Sequence, residues 1–210
     1  MHTPICAVFD MDGTLADTSL ITVPACIKAA NEYGIAPPAR ELITQTIGIS
    51  GLDFYRRLYP ALGEEKLEPL ASRVFELEKS ITRELGPGLL FPGILDMLNR
   101  LARAGIPMAI ASTGETAHVE SVLTTTGTKQ LFAAIKCNSN DKITMLKELC
   151  TIYSGHKLYM VGDKPKDSDA AKANGVYSIG IGYGFSAPCE LAGFDEIAGS
   201  PGEVLRLMGV

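Results

Sequence analysis

Ile5-Cys6-Ala7-Val8-Phe9-Asp10-Met11-Asp12-Gly13-Thr14-Leu15 is the stretch whose reading decides the fold. Ile5 to Phe9 is an uninterrupted apolar run, the pattern of a short buried strand. Gly13 breaks that pattern immediately after two carboxylates, Asp10 and Asp12. Residues i and i+2 of an extended chain project the same way, so both acids look out beyond the strand end. Acids sharing one small site repel, and either one is neutral or a cation lies between them.

The complement of this stretch is Leu158-Tyr159-Met160-Val161-Gly162-Asp163-Lys164-Pro165-Lys166-Asp167. Here too a short apolar strand stops at a glycine and acids follow, Asp163 at the strand end and Asp167 at the start of a helical run. If the two strands are neighbours in a parallel sheet, four carboxylates converge on its carboxyl edge, where open α/β sheets bind ligands. At a spacing of about 5 Å and an effective dielectric near 20, each repulsion is roughly 3 kcal/mol. Such a site calls for a cation, and an oxygen-only donor set favours Mg2+ over zinc or copper.

Two polar interruptions extend the pattern. Pro107 to Ala111 is a strand candidate ending in Ser112-Thr113-Gly114. Hydroxyls and free backbone N–H groups ahead of a helix form a seat for phosphate. Lys142 follows the polar loop Asn138 to Asp141 and can set a positive charge against an anionic substrate.

The rest of the chain is organised around these strands. From about residue 19 to 88 the signals are helical: Ser19 as a cap for a helix through Tyr33, a helix through Thr46, another from Leu52 to Leu62, and Glu64 to Leu85 interrupted near Pro69. From Pro92 onward helix and strand alternate, the signature of a parallel sheet with helices on both faces. The expected architecture is therefore a doubly wound, mainly parallel α/β core from residues 1–18 and 89–210, with an inserted helical unit at 19–88. Three scattered histidines form no zinc pattern, and Gly180, Gly182 and Gly184 fit a strand-end turn better than a nucleotide fingerprint.

Composition bounds the function. Of the 210 residues, 46% are hydrophobic and 20% charged, the make-up of a soluble globule able to bury a core. A net charge of −5 argues against a nucleic-acid partner. No run of apolar residues is long enough to span a membrane, and a strand starting near residue 5 leaves no room for a signal peptide. Five cysteines without Cys-x-x-Cys spacing fit reduced thiols and a cytoplasmic setting. The inserted segment carries eight Lys or Arg against nine Asp or Glu, so no basic funnel for a polyanion is expected. A small phosphorylated metabolite suits it better, and nothing in the pattern specifies an oligomer.

Taken in order, these boxes resemble the haloacid dehalogenase-like superfamily: Asp10 to Thr14, then Ser112 after an apolar strand, Lys142, and Gly162-Asp163 with Asp167. The resemblance covers essentially the whole chain. It implies a Rossmann-like core, a mobile helical cap over the site, and Asp10 as the nucleophile that forms an aspartyl-phosphate. Asp12 would be the general acid and then base, its pKa raised above the usual value of about 3.9. Asp10, the backbone carbonyl of Asp12 and Asp163 would hold Mg2+, with Asp167 either a direct ligand or an orienting partner. Ser112, Thr113 and Gly114 would bind phosphoryl oxygens, Lys142 would clamp the phosphate, and Gly48 and Arg56 of the cap would help select the substrate. An acid at position 12 points to phosphate esters, since dehalogenases resembling this chain lack it. The implied activity is a Mg2+-dependent phosphatase of the phosphoglycolate phosphatase type. A sugar phosphomutase resembling β-phosphoglucomutase is the alternative, and a non-catalytic scaffold the third reading.

Overall fold

The computed structural model describes residues 3–210. The first strand, β1 (Ile5–Phe9), feeds a helical excursion through α1 (Ser19–Glu32), α2 (Arg40–Thr46), α3 (Leu52–Leu58) and α4 (Glu64–Leu85). The chain then alternates: α5 (Ile94–Arg103), β2 (Met108–Ala111), α6 (Thr116–Thr125), β3 (Ala134–Lys136), α7 (Lys142–Ile152), β4 (Lys157–Gly162), α8 (Pro165–Asn174), β5 (Tyr177–Ile181), β6 (Glu196–Ala198) and α9 (Pro201–Met208).

The six strands form one sheet in the order β3-β2-β1-β4-β5-β6, every neighbouring pair parallel. Parallel sheets are covered on both faces, which is why their strands read as continuous apolar runs. Alternation along β1 divides its side chains between the two faces. Phe9 joins Ile110, Val161, Ile94 and Leu98 on one side, while Cys6 and Val8 join Met160, Leu146 and Leu149 on the other. The winding reverses between β1 and β4. A crevice opens at such a reversal, outside the carboxyl ends of the strands.

Helices α1 to α4 build a separate core from Val23, Ile43, Phe54, Leu67, Leu70 and Val74, and form the helical cap. The chain leaves and returns at adjoining points. Asp17 N–H donates to Leu89 C=O at 2.9 Å, and Phe91 N–H to Leu15 C=O at 3.0 Å, so the two crossings run side by side. Among the described residues no helix is long and apolar enough to cross a membrane.

Three local expectations are corrected. Pro69 does not interrupt its helix, because α4 is continuous from Glu64 to Leu85. Proline removes one N–H bond from a helix, but burial of Leu67, Leu70, Val74 and Leu77 along a single face outweighs that loss. Ser19 is the first helical residue rather than the cap, and its hydroxyl donates to Asp17 Oδ1 at 2.5 Å. The helix expected to reach Leu62 stops at Leu58, just before Tyr59 and Pro60.

Leu70 is fully buried in the cap. Leu70→Ala is expected to lower the unfolding free energy by about 2–5 kcal/mol in urea denaturation followed by circular dichroism. A loss below about 1 kcal/mol would show that the cap core is not packed as described.

Candidate active site

Strand pairing brings the acids together. Phe9 lies opposite Val161 in the β1–β4 register, and Asp10 N–H extends the ladder to Val161 C=O at 2.9 Å. Asp10 and Asp163 therefore emerge from adjacent strand tips. Asp167 joins them from the first turn of α8, its Oδ2 accepting the Lys164 N–H at 3.0 Å. One carboxylate oxygen from each of Asp10, Asp163 and Asp167 lies within 4.8 Å of the others, and all three side chains are buried.

Backbone shape makes this convergence possible. Gly13 has φ +81°, and a Cβ there would stand 2.7 Å from Asp163 Oδ2. Only glycine combines that left-handed backbone with such a close approach. Gly184 packs equally tightly against Asp163 and the carbonyl of Gly13.

Lys142, from the start of α7, is also buried, with Nζ 2.8 Å from Asp10 Oδ1 and 2.5 Å from Asp167 Oδ1. Burial would depress its pKa, but the two carboxylates hold the ammonium above the ordinary lysine value. Burial pushes Asp10 well above the usual carboxylate range; Lys142 opposes this, and Asp167 and Asp163 add to it. Asp163 is pushed up to about 7 by burial and by the Asp167 charge, against the Phe185 N–H that its Oδ2 accepts at 2.9 Å. Its other oxygen, Oδ1, is buried without any hydrogen-bond partner. An orphaned carboxylate oxygen facing two further acids is a donor set that fits a hard cation.

On the other side of β1, Ser112 and Thr113 follow β2 and are both buried. Ser112 Oγ accepts the Gly114 N–H at 3.1 Å and shapes the loop. The Thr113 hydroxyl donates to the carbonyl of Gly48 in the cap at 3.1 Å, and Ser50 Oγ donates to Asn140 Oδ1 at 2.9 Å. These bonds tie the cap loop to the tips of the core. Between them lies a cavity of about 530 Å³ lined by Asp12, Gly48, Thr113 and Gly114 together with residues of α1, α3, α4 and α6.

A family model described as haloacid dehalogenase-like hydrolase matches residues 7–181. The chain belongs to the haloacid dehalogenase-like hydrolases. It is 29% identical to a phosphoglycolate phosphatase of Agrobacterium fabrum over 86% of this chain and 81% of that one. It is 28% identical to the tyrosine-protein kinase PtkA of Mycobacterium tuberculosis over 88% of this chain but only 64% of that longer protein. The crystal structure of a predicted phosphoglycolate phosphatase from Haemophilus somnus superposes with a TM-score of 0.84 at 20% identity, covering 99% of each chain.

Three placements in this hydrolase differ from expectation. Asp12 was expected to carry a raised pKa. Burial does push it up, but His118 outweighs burial by charge and by a 2.8 Å contact from Nε2 to Asp12 Oδ1, so the net shift is downward. Lys142, read as the phosphate clamp, is bonded to Asp10 and Asp167, a pairing that the sequence did not announce. Arg56 points away from the cavity wall and pairs with Asp53 and Glu64 on the exposed side of the cap.

His118 is the residue that reading the sequence missed. Burial alone would depress it, yet Asp12, Glu78 and Glu115 lift it to about 9. Its position in α6, four residues after Gly114, was the available signal, because that turn faces the same loop. Glu78 of α4 was missed likewise; it accepts the Thr22 hydroxyl at 2.6 Å on the cavity wall.

Removing Lys142 leaves two buried carboxylates without a counter-ion. Lys142→Met is expected to cost the metal-free protein about 3–5 kcal/mol of stability in chemical denaturation. A change within about 0.5 kcal/mol, the usual range for surface substitutions, would place Lys142 outside the buried cluster.

Proposed function

We propose that this protein is a Mg2+-dependent phosphatase that hydrolyses a small phosphomonoester through an aspartyl-phosphate on Asp10. The observation that carries the reading is the meeting of Asp10, Asp163 and Asp167 within 4.8 Å at adjacent strand tips, with Asp163 Oδ1 unpartnered. The phosphoglycolate phosphatases among its relatives support the ester class. Asp10, the Asp12 carbonyl and Asp163 would hold the metal, and Asp167, tied to Lys142 and Lys164 N–H, would orient the set. When bound, Mg2+ neutralises the acids and favours approach of the phosphate dianion.

The chain's own groups then divide the work. A carboxylate oxygen of Asp10 attacks phosphorus, the bond to the ester oxygen breaks, and the phosphoryl group stays on Asp10. The departing alkoxide needs a proton, which the Asp12–His118 pair holds at the cavity wall. Water then attacks the aspartyl-phosphate, returns a proton to the pair, and frees Asp10 and inorganic phosphate. Ser112, Thr113 and Gly114 would cradle phosphoryl oxygens, while the Thr113–Gly48 bond keeps the cap against the loop and limits water.

In an inorganic-phosphate release assay with Mg2+, Asp10→Asn is expected to abolish turnover; full activity would end the nucleophile assignment. Metal binding has its own readout. At about 100 times its Kd, Mg2+ should stabilise the protein by about 2.7 kcal/mol, which for this size is a melting rise of about 5–10 °C. Asp163→Asn should erase that rise, and an unchanged shift would move the metal elsewhere. His118→Gln should lower kcat about 10²-fold on alkyl phosphates and much less on p-nitrophenyl phosphate, whose leaving group needs no proton. Equal losses on both would reduce His118 to a structural role.

A further inference from the structure

The cavity between cap and core has an uneven charge. Its cap-side wall carries Glu68 and Glu78 from α4, and Glu115 adds a third carboxylate at the start of α6. Among the described residues, no lysine or arginine lines it. Its one cationic side chain, His118, is already engaged by Asp12. The cap's arginines do not compensate, because Arg56 pairs with Asp53 and Glu64 and Arg73 with Glu32 and Glu76, both on the outside. At the strand tips next to this cavity, by contrast, lysines stand among the acids, with Lys142 between Asp10 and Asp167 and Lys164 beside Gly48.

Two further features face the same space. Phe54, Tyr55 and Phe75 give it aromatic walls, surfaces that attract an ammonium group. Thr18 lines it with its side chain only 1% exposed. The Thr18 hydroxyl, close enough to Asp12 to help lower its pKa, makes no hydrogen bond of good geometry.

From this arrangement we propose that the preferred substrate is the phosphate ester of an alcohol carrying an ammonium group, the phosphate at the strand tips and the cation against Glu78, Glu68 and the aromatic wall. The inference rests on the phosphatase reading and deepens it. A leaving group bearing a carboxylate, as glycolate does, would meet carboxylates with no guanidinium or ammonium to receive it. Like charges brought together in a partly desolvated cavity reject the wrong ligand. A volume of about 530 Å³ also holds a leaving group larger than a two-carbon acid.

The test uses matched phosphate esters of ω-amino, ω-hydroxy and ω-carboxy alcohols, with three-carbon and six-carbon chains, assayed with Mg2+ for phosphate release. The ammonium ester is expected to show kcat/KM at least tenfold above the carboxylate ester, with the neutral ester between them. Glu78→Gln should narrow the ratio of ammonium to carboxylate turnover at least threefold, a ratio that a merely folded or unfolded cap would leave unchanged. A neutral or carboxylate ester turned over as fast as the ammonium ester, or a ratio untouched by Glu78→Gln, overturns the proposal while leaving the phosphatase intact. Release from none of these esters, nor from p-nitrophenyl phosphate, removes the phosphatase reading and this proposal with it.

Discussion

Carboxylates forced together at the ends of two adjacent parallel strands are the constraint on which the rest of this molecule depends. Asp10 and Asp163 are carried there by the β1–β4 register, and Asp167 is set beside them by the first turn of α8. The β1–β4 register makes this contact, because the backbone ladder continues through Asp10 N–H into Val161. Repulsion is therefore built into the fold, and the surroundings are arranged to hold it. Lys142 spans Asp10 and Asp167, the Lys164 and Phe185 N–H groups take one oxygen each from Asp167 and Asp163, and Gly13 gives way where a side chain would collide. One oxygen of Asp163 stays without a partner, a residual electrostatic demand that a divalent cation would satisfy.

The same economy explains the second half of the site. A phosphoryl group approaching these acids needs donors on its far side, and the loop after β2 supplies two buried hydroxyls, Ser112 and Thr113. Thr113 also donates to Gly48, so the surface that would hold phosphate is the surface that docks the cap. Asp12 lines the cavity and is held by His118 from α6, a partner on a different element from any of the three clustered acids. The Asp12–His118 pair and the cluster of Asp10, Asp163 and Asp167 thus lie on opposite sides of β1.

The cap contributes chemistry of a different kind. Its own core, built on Leu67, Leu70 and Val74, needs nothing from the sheet to be packed. Its cavity face is acidic and aromatic, while at the strand tips Lys142 stands between two of the three acids.

The sequence by itself determined the strands, their acids and the order of the boxes. An apolar run that stops at a carboxylate is local information, carried by neighbours in the chain, and so Asp10, Asp12, Asp163, Asp167, Ser112 and Lys142 were all legible. Helical signals from about residue 19 to 88, and helix–strand alternation from Pro92, also outlined the insertion and the wound sheet. Tertiary structure alone decided the partners. His118 meets Asp12 across 106 positions and Lys142 meets Asp10 across 132, separations over which no periodicity speaks. The direction of the Asp12 shift, the outward turn of Arg56 and the unbroken run of α4 past Pro69 followed from those packed surroundings. A side chain's charge state and direction are set by what is packed against it, and that is a property of the folded neighbourhood rather than of the chain's local order.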